Sequence, residues 1–88
     1  MAATYRIEFS PRAERDFRNL PGDIQIRLKP HIDKLAHNPR PRGVEKMAGE
    51  ESLYRIRIGD YRVVYNIEDD ILLILVVKIG HRREVYRR

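Results

Sequence analysis

LYRIRIGDYRVVYNI, residues 53–67, decides the fold. Apolar or aromatic residues alternate with polar ones through 53–58 and again through 61–67, the two-residue period of half-buried strands. Between the runs stands Gly59-Asp60, and a glycine in the first of two loop positions marks a type II′ hairpin turn. The register follows directly. Ile58 faces Tyr61, Arg57 faces Arg62, Ile56 faces Val63 and Arg55 faces Val64. Alternation places Tyr54, Ile56, Ile58, Tyr61, Val63 and Tyr65 on one face, the one expected to be buried under helices, and Arg55, Arg57 and Arg62 on the other.

Downstream, Asp69-Asp70 makes a second turn, and ILLILVVKI, residues 71–79, follows as a nearly continuous β-branched and leucine run, typical of a strand covered on both faces. So short a turn makes this last strand antiparallel to the one before it, and both are expected inside the sheet. Upstream, Tyr5, Ile7 and Phe9 alternate with Arg6 and Glu8 as a first strand. Ser10-Pro11 supplies an N-cap and a first-turn proline, and Ala13, Phe17 and Leu20 recur at helical spacing until Pro21-Gly22. Asp23 is expected to cap a second helix with the apolar stripe Ile24, Leu28, Ile32, Leu35, ended by Asn38-Pro39. Pro30 inside that stripe removes a backbone donor, which predicts a kink or two short helices. Residues 38–50 carry proline, glycine and charge without periodicity and read as a connecting loop. The order strand, helix, helix, then three or four strands describes an α+β domain, with two helices packed on one face of a mainly antiparallel sheet.

At 88 residues the chain is a single domain spanning 1–88, since little would be left for a second core. Such a domain buries only roughly 60% of the surface its unfolded chain exposes, so a stabilising partner is expected to matter. The absence of cysteine removes disulfides, thiolate metal sites and thiol nucleophiles, and fits a cytoplasmic setting. The N-terminal stretch lacks the apolar core of a signal peptide, and the longest apolar run, 71–77, is far shorter than the roughly 20 residues of a membrane helix. A soluble protein without membrane attachment is expected. The formal net charge is +5, with 14 arginines against 4 lysines. Arginine's planar fork matches phosphate oxygens, so an anionic partner, nucleic acid foremost, is the reading set against a merely solvated basic surface.

The hairpin register locates the chemistry. Arg57 directly across from Arg62 is a like-charge pair where a favourable one would contribute about 0.2–1 kcal/mol. An anion held between them turns the repulsion into attraction; the alternative is that both side chains fan into water or pair with Glu51, Glu68 or Glu84. The last strand returns to the Gly59-Asp60 end, so His81 and Arg82 are expected to emerge beside Arg57 and Arg62. Gly80 lets the chain bend there, so that Tyr86 folds back over the same face. Arginines with an imidazole and a phenol suit RNA cleavage without a metal or other cofactor. A base takes the ribose 2′-hydroxyl proton, an acid protonates the leaving 5′-oxygen, and cations stabilise the phosphorane. Arg57, Arg62, His81, Arg82 and Tyr86 are the candidate catalytic residues. Arg55, Lys78, Arg83, Arg42 and Lys46 are candidate RNA contacts, although Arg42 and Lys46 read equally as a solubilising loop. His31 and His37 read as surface or helix-packing residues, and Glu68-Asp69-Asp70 as a solvated turn. Neither a glycine-rich phosphate loop nor a metal-ligand spacing competes.

From YRIEFSPRAERDFRNLP through LYRIRIGDYRVVY to KIGHRREVYRR, the sequence resembles the RelE branch of the RelE/ParE toxin superfamily. The resemblance implies a toxin of a type II toxin-antitoxin system, a ribosome-dependent endoribonuclease that cuts mRNA in the decoding site and is neutralised by a RelB-like antitoxin. By position it implies site roles for Arg55, Arg57, Arg62, Arg82 and Tyr86. Better-known RelE proteins carry lysines at the places of Arg55 and Arg57. Arginine is a poor proton acceptor, which moves the base role toward Tyr86 or His81. The chain also stops two residues after Tyr86, without the further C-terminal helix of some relatives. The rival reading is a ParE-like toxin that inhibits DNA gyrase by binding, with no hydrolytic chemistry.

Overall fold

The computed structural model describes residues 4–49 and 52–81. Along the chain run β1 (Arg6–Phe9), α1 (Pro11–Arg18), α2 (Gly22–Lys34), β2 (Glu45–Lys46), β3 (Leu53–Ile58), β4 (Tyr61–Glu68), a 3-10 turn (Asp69–Ile71) and β5 (Leu73–His81). The strands form one sheet in the order β1-β5-β4-β3-β2. All neighbours are antiparallel except β1 and β5, which are parallel. This is the α+β architecture expected, with the last two long strands, β4 and β5, inside the sheet.

The hairpin has the expected register, Ile58 opposite Tyr61 and Arg57 opposite Arg62. Gly59 takes φ +62°, the positive angle that the first loop position of a type II′ turn requires and that a side chain would resist. Ala13 of α1 and Leu28, Ile32 and Leu35 of α2 and its C-terminus pack on Ile56, Ile58, Val63, Tyr65, Ile67, Ile74, Val76 and Ile79. The helices therefore lie on one face, below called the inner face. Tyr65 is wholly buried there, and its hydroxyl donates to the Pro39 carbonyl at 2.7 Å, so the phenol enters the core with its polar atom satisfied. Burial pushes its pKa up.

Ser10 does two jobs. Its Oγ accepts from the Ala13 N–H at 3.1 Å, capping α1, and donates to the Val77 carbonyl at 3.3 Å. One turn on, the Asp16 carboxylate accepts from the Ile79 N–H at 3.1 Å. Polar groups on the β5 edge beyond the end of β1 are thus met by α1 rather than left as a free template for pairing.

Several expectations need correction. The connecting loop contains β2, a two-residue strand too short to leave a period in the sequence. Asp23 is not the cap of α2: the helix starts at Gly22, with Pro21 at the N-cap position and no side-chain cap, so Asp23 sits in the first turn, where its charge suits the helix dipole. Pro30 is accommodated inside one continuous helix rather than dividing it. Residues 71–79 are not all strand, because the chain is still turning at Ile71 and Leu72. Leu72 has φ 51° and ψ 53°, and both side chains are exposed. Nor is β5 covered on both faces by the described residues: Ile74, Val76 and Ile79 are buried inward, while Leu73 and Leu75 on the opposite face are half-buried.

At the end of the sheet away from the hairpin turn, Arg40 donates to Asp69 at 2.9 Å and its guanidinium lies 5.2 Å from the Tyr54 ring centre, while the Tyr5 hydroxyl donates to the same carboxylate. The Arg40 hydrogen bond, then that of Tyr5, holds the Asp69 carboxyl below the usual carboxylate range. A carboxylate depressed in the folded state stabilises above its unfolded pKa, and that stabilisation is lost as pH falls through the depressed value. Asp69→Asn is accordingly expected to flatten the fall in stability below about pH 4, followed by urea unfolding at stepped pH. An unchanged acid limb would show the clasp to be energetically silent.

Candidate functional site

The ladders arrange the outer face of the sheet in rows. Glu45, Arg55, Val64 and Lys78 lie abreast across β2, β3, β4 and β5; in the next row stand Arg57, Arg62 and Gly80. Paired residues share a face, so Arg55, Arg57, Arg62 and Lys78 form one basic patch centred on two interior strands. Arg62 is 7% exposed, deep for a guanidinium. Gly43, Glu45, Arg55, Arg57 and Arg62 line a cleft of about 250 Å³.

Glu45 was not singled out from the sequence. Its Oε1 accepts from both Arg55 Nε at 3.1 Å and Arg55 Nη2 at 2.6 Å, charge-assisted bonds that hold the two side chains together and leave the other carboxylate oxygen outside this pair. The pairing also places an acceptor of protons among side chains that only donate. The available signal was an acid in an otherwise basic loop, without a recognisable strand to fix its direction.

The structure does not bring all the expected residues together. His81 is the principal correction. It pairs with Tyr61, not with a residue of the arginine face, and its ring meets the Tyr61 ring edge-on at 5.6 Å between centroids. His81 therefore belongs to the inner face, across the sheet from Arg57 and Arg62. The cause is strand alternation: Gly80 is the residue abreast of Arg62, so its neighbour points the opposite way. Lys46 pairs with Tyr54 and likewise shares the inner side. Arg42 lies not in the Arg55 cleft but in an adjoining groove that Arg57 also borders. Arg82, Arg83 and Tyr86 lie outside the described residues. Among the described residues no group of three or more His, Asp or Glu is placed to hold a metal ion, and no helix is long and apolar enough to cross a membrane.

The family model described as the ParE toxin of the type II toxin-antitoxin system parDE matches residues 7–86. The chain belongs to this toxin family. Within the RelE/ParE superfamily several of its relatives carry the RelE name. The putative toxin RelE1 of Methanocaldococcus jannaschii is 30% identical over 86 residues, covering 94% of this chain and 96% of that protein. The mRNA interferase toxin RelE of Escherichia coli is 29% identical over 86 residues, covering 93% and 90%. The toxin-antitoxin complex RelBE2 of Mycobacterium tuberculosis contains a chain that superposes with a TM-score of 0.82 at 25% identity, covering 93% of this chain and 95% of that one. The RelE-type toxin fold is thus shared over nearly the whole length.

Proposed function

We propose that this chain is an mRNA interferase of a type II toxin-antitoxin system: a cytoplasmic, metal-independent endoribonuclease that cuts mRNA at the ribosomal decoding site and is held inactive by a RelB-like antitoxin. The observation that carries the reading is the facing pair Arg57 and Arg62, with Arg55 and Lys78 in the adjoining row. Such a pair is a liability to folding alone and an asset once a phosphodiester lies over it. The RelE names of the curated relatives and the antitoxin in the M. tuberculosis complex support the same assignment.

In this reaction the ribose 2′-oxygen forms a bond to phosphorus and the bond from phosphorus to the 5′-oxygen breaks, leaving a 2′,3′-cyclic phosphate and a 5′-hydroxyl. Arg62 and Arg57 stabilise the charge that builds on the phosphorane. Arg55, tied to Glu45, orders the edge of the cleft. Because His81 points to the other face, the base role moves away from it. Glu45, rather than Tyr86, takes the 2′-hydroxyl proton in our reading, which leaves Tyr86 to act as the acid. The rival ParE-like, gyrase-binding reading has the name of the family model in its favour; relatives matched along most of their length, among them the mRNA interferase toxin RelE of E. coli, carry the RelE name instead.

Inducing the chain in a host lacking the antitoxin and mapping mRNA 5′ ends tests the proposal. New ends within translated codons are expected, and Glu45→Gln should lower their formation by about 10²-fold or more, the scale of general base catalysis. Growth arrest with intact mRNA and altered DNA supercoiling would transfer the chain to the gyrase inhibitors.

A further inference from the structure

A groove of about 590 Å³ runs between the C-terminal part of α2, the loop after it and the stretch of β3 beyond its pairing with β2. Its rim is basic: Lys34, Arg42 and Arg57 border it together with the imidazoles of His31 and His37, and no carboxylate is among the described residues that line it. Its floor is apolar, made by Leu35, Ile56 and Ile58. We propose that this groove is a subsite for a nucleotide flanking the scissile phosphate, taking a backbone phosphate on its rim and a base on its floor. The inference rests on the RNA-cleavage reading and adds the path of the strand to it.

Three observations converge. The first is charge without compensation. His31 and Lys34 fall in the last turn of α2, where basic residues suit the negative end of the helix dipole, and Arg42 and Arg57 are brought to the same groove from other elements. Among the described residues, ion pairs tie Lys29 to Asp33 and Arg55 to Glu45, whereas none joins Lys34, His37 or Arg42 to a carboxylate.

The second is continuity. Arg57 and Gly43 line both this groove and the Arg55–Arg62 cleft. Gly43 has φ +88°, and a Cβ there would meet nothing within 4 Å, so no side chain crowds the backbone that the two spaces share at this residue. A strand with its reacting phosphate at Arg57 and Arg62 reaches the groove by crossing Gly43. The third is chemistry and size. The volume falls in the range of small-ligand sites, and an apolar floor beneath a cationic rim matches one nucleotide, whose base is flat and whose phosphate is charged. An acidic peptide shares the charge but does not explain why the groove opens into the arginine cleft.

The test uses a dinucleotide and a tetranucleotide with a 2′-deoxyribose at the scissile step, so that neither is cut, titrated into the full chain and followed by amide chemical shifts, which register even weak binding. Wild type, Lys34→Ala/His37→Ala and Arg62→Ala are compared; Lys34 and His37 are exposed, so the double variant should fold normally. The double variant is expected to bind the tetranucleotide about tenfold more weakly than wild type and the dinucleotide equally well. Its salt dependence for the longer ligand should be shallower, by about 0.7 in log–log slope per lost phosphate contact. Tetranucleotide shifts at 55–62 without shifts at 31–43, or equal binding by the double variant, would overturn the subsite while leaving the cleavage site in place. Arg62→Ala binding both ligands as wild type does would instead remove the cleavage reading itself. If the double substitution weakens only the hold of the antitoxin, the groove is a protein-docking face and the proposal fails.

Discussion

Arg62→Ala is expected to slow mRNA cleavage by about 10²–10³-fold, the loss typical when a preorganised donor to a transition-state charge is removed, while leaving a folded protein that still binds its antitoxin. Arg62 stands on an interior strand, abreast of Arg57 on one side and Gly80 on the other, and is buried where its neighbour Arg57 is exposed. A guanidinium withdrawn from water acts through a lower local dielectric than one on the surface, so Arg57→Ala should cost less. Arg62→Lys keeps the charge but loses the planar fork, and an intermediate rate is expected. Cleavage of translated mRNA in a purified translation system, with circular dichroism to verify folding, gives the comparison. A rate for Arg62→Ala equal to wild type would dismiss the arginine row as the reaction centre.

Leu28→Ala should cost about 2–5 kcal/mol, the range for emptying a core leucine site. Leu28 is 0% exposed, in the helix-sheet core. A domain of this length holds roughly 4–13 kcal/mol in total, so one such cavity can remove most of its stability. Urea unfolding should show a midpoint far below that of wild type. Ile26→Ala, on the same helix but 77% exposed, should shift stability by no more than about 0.5 kcal/mol. Because a partner that binds only the folded state adds stability by mass action, an excess of antitoxin should restore much of the Leu28→Ala midpoint. Similar midpoints for the two variants would mean that α2 is not the lid of the core.

The hairpin was legible because every signal at residues 53–67 agreed: period, turn residue and flanking polarity. The apolar stripe of α2 was legible for the same reason, and Leu28 and Ile32 are fully buried as it implied. What the sequence hid follows from missing period or missing reach. Two residues of β2 cannot alternate, so Glu45 had no direction until Arg55 paired with it. His81 lies at the expected end of the sheet but on the other face, because alternation along β5 sends the neighbour of Gly80 away from Arg62. His31 and His37 read as surface or helix-packing residues, since nothing local indicates that α2 and the loop after it bring them to the same groove as Arg57.

The parallel pairing of β1 with β5 joins residues 6–9 to residues 73–76. During synthesis the first strand is made long before β5, its partner among the described residues, and β5 also carries Lys78 of the basic patch. The sheet therefore cannot close on a nascent chain that has yet to complete β5. The first strand and the basic patch thus wait on the same strand, so that closing the sheet and completing the patch become one event.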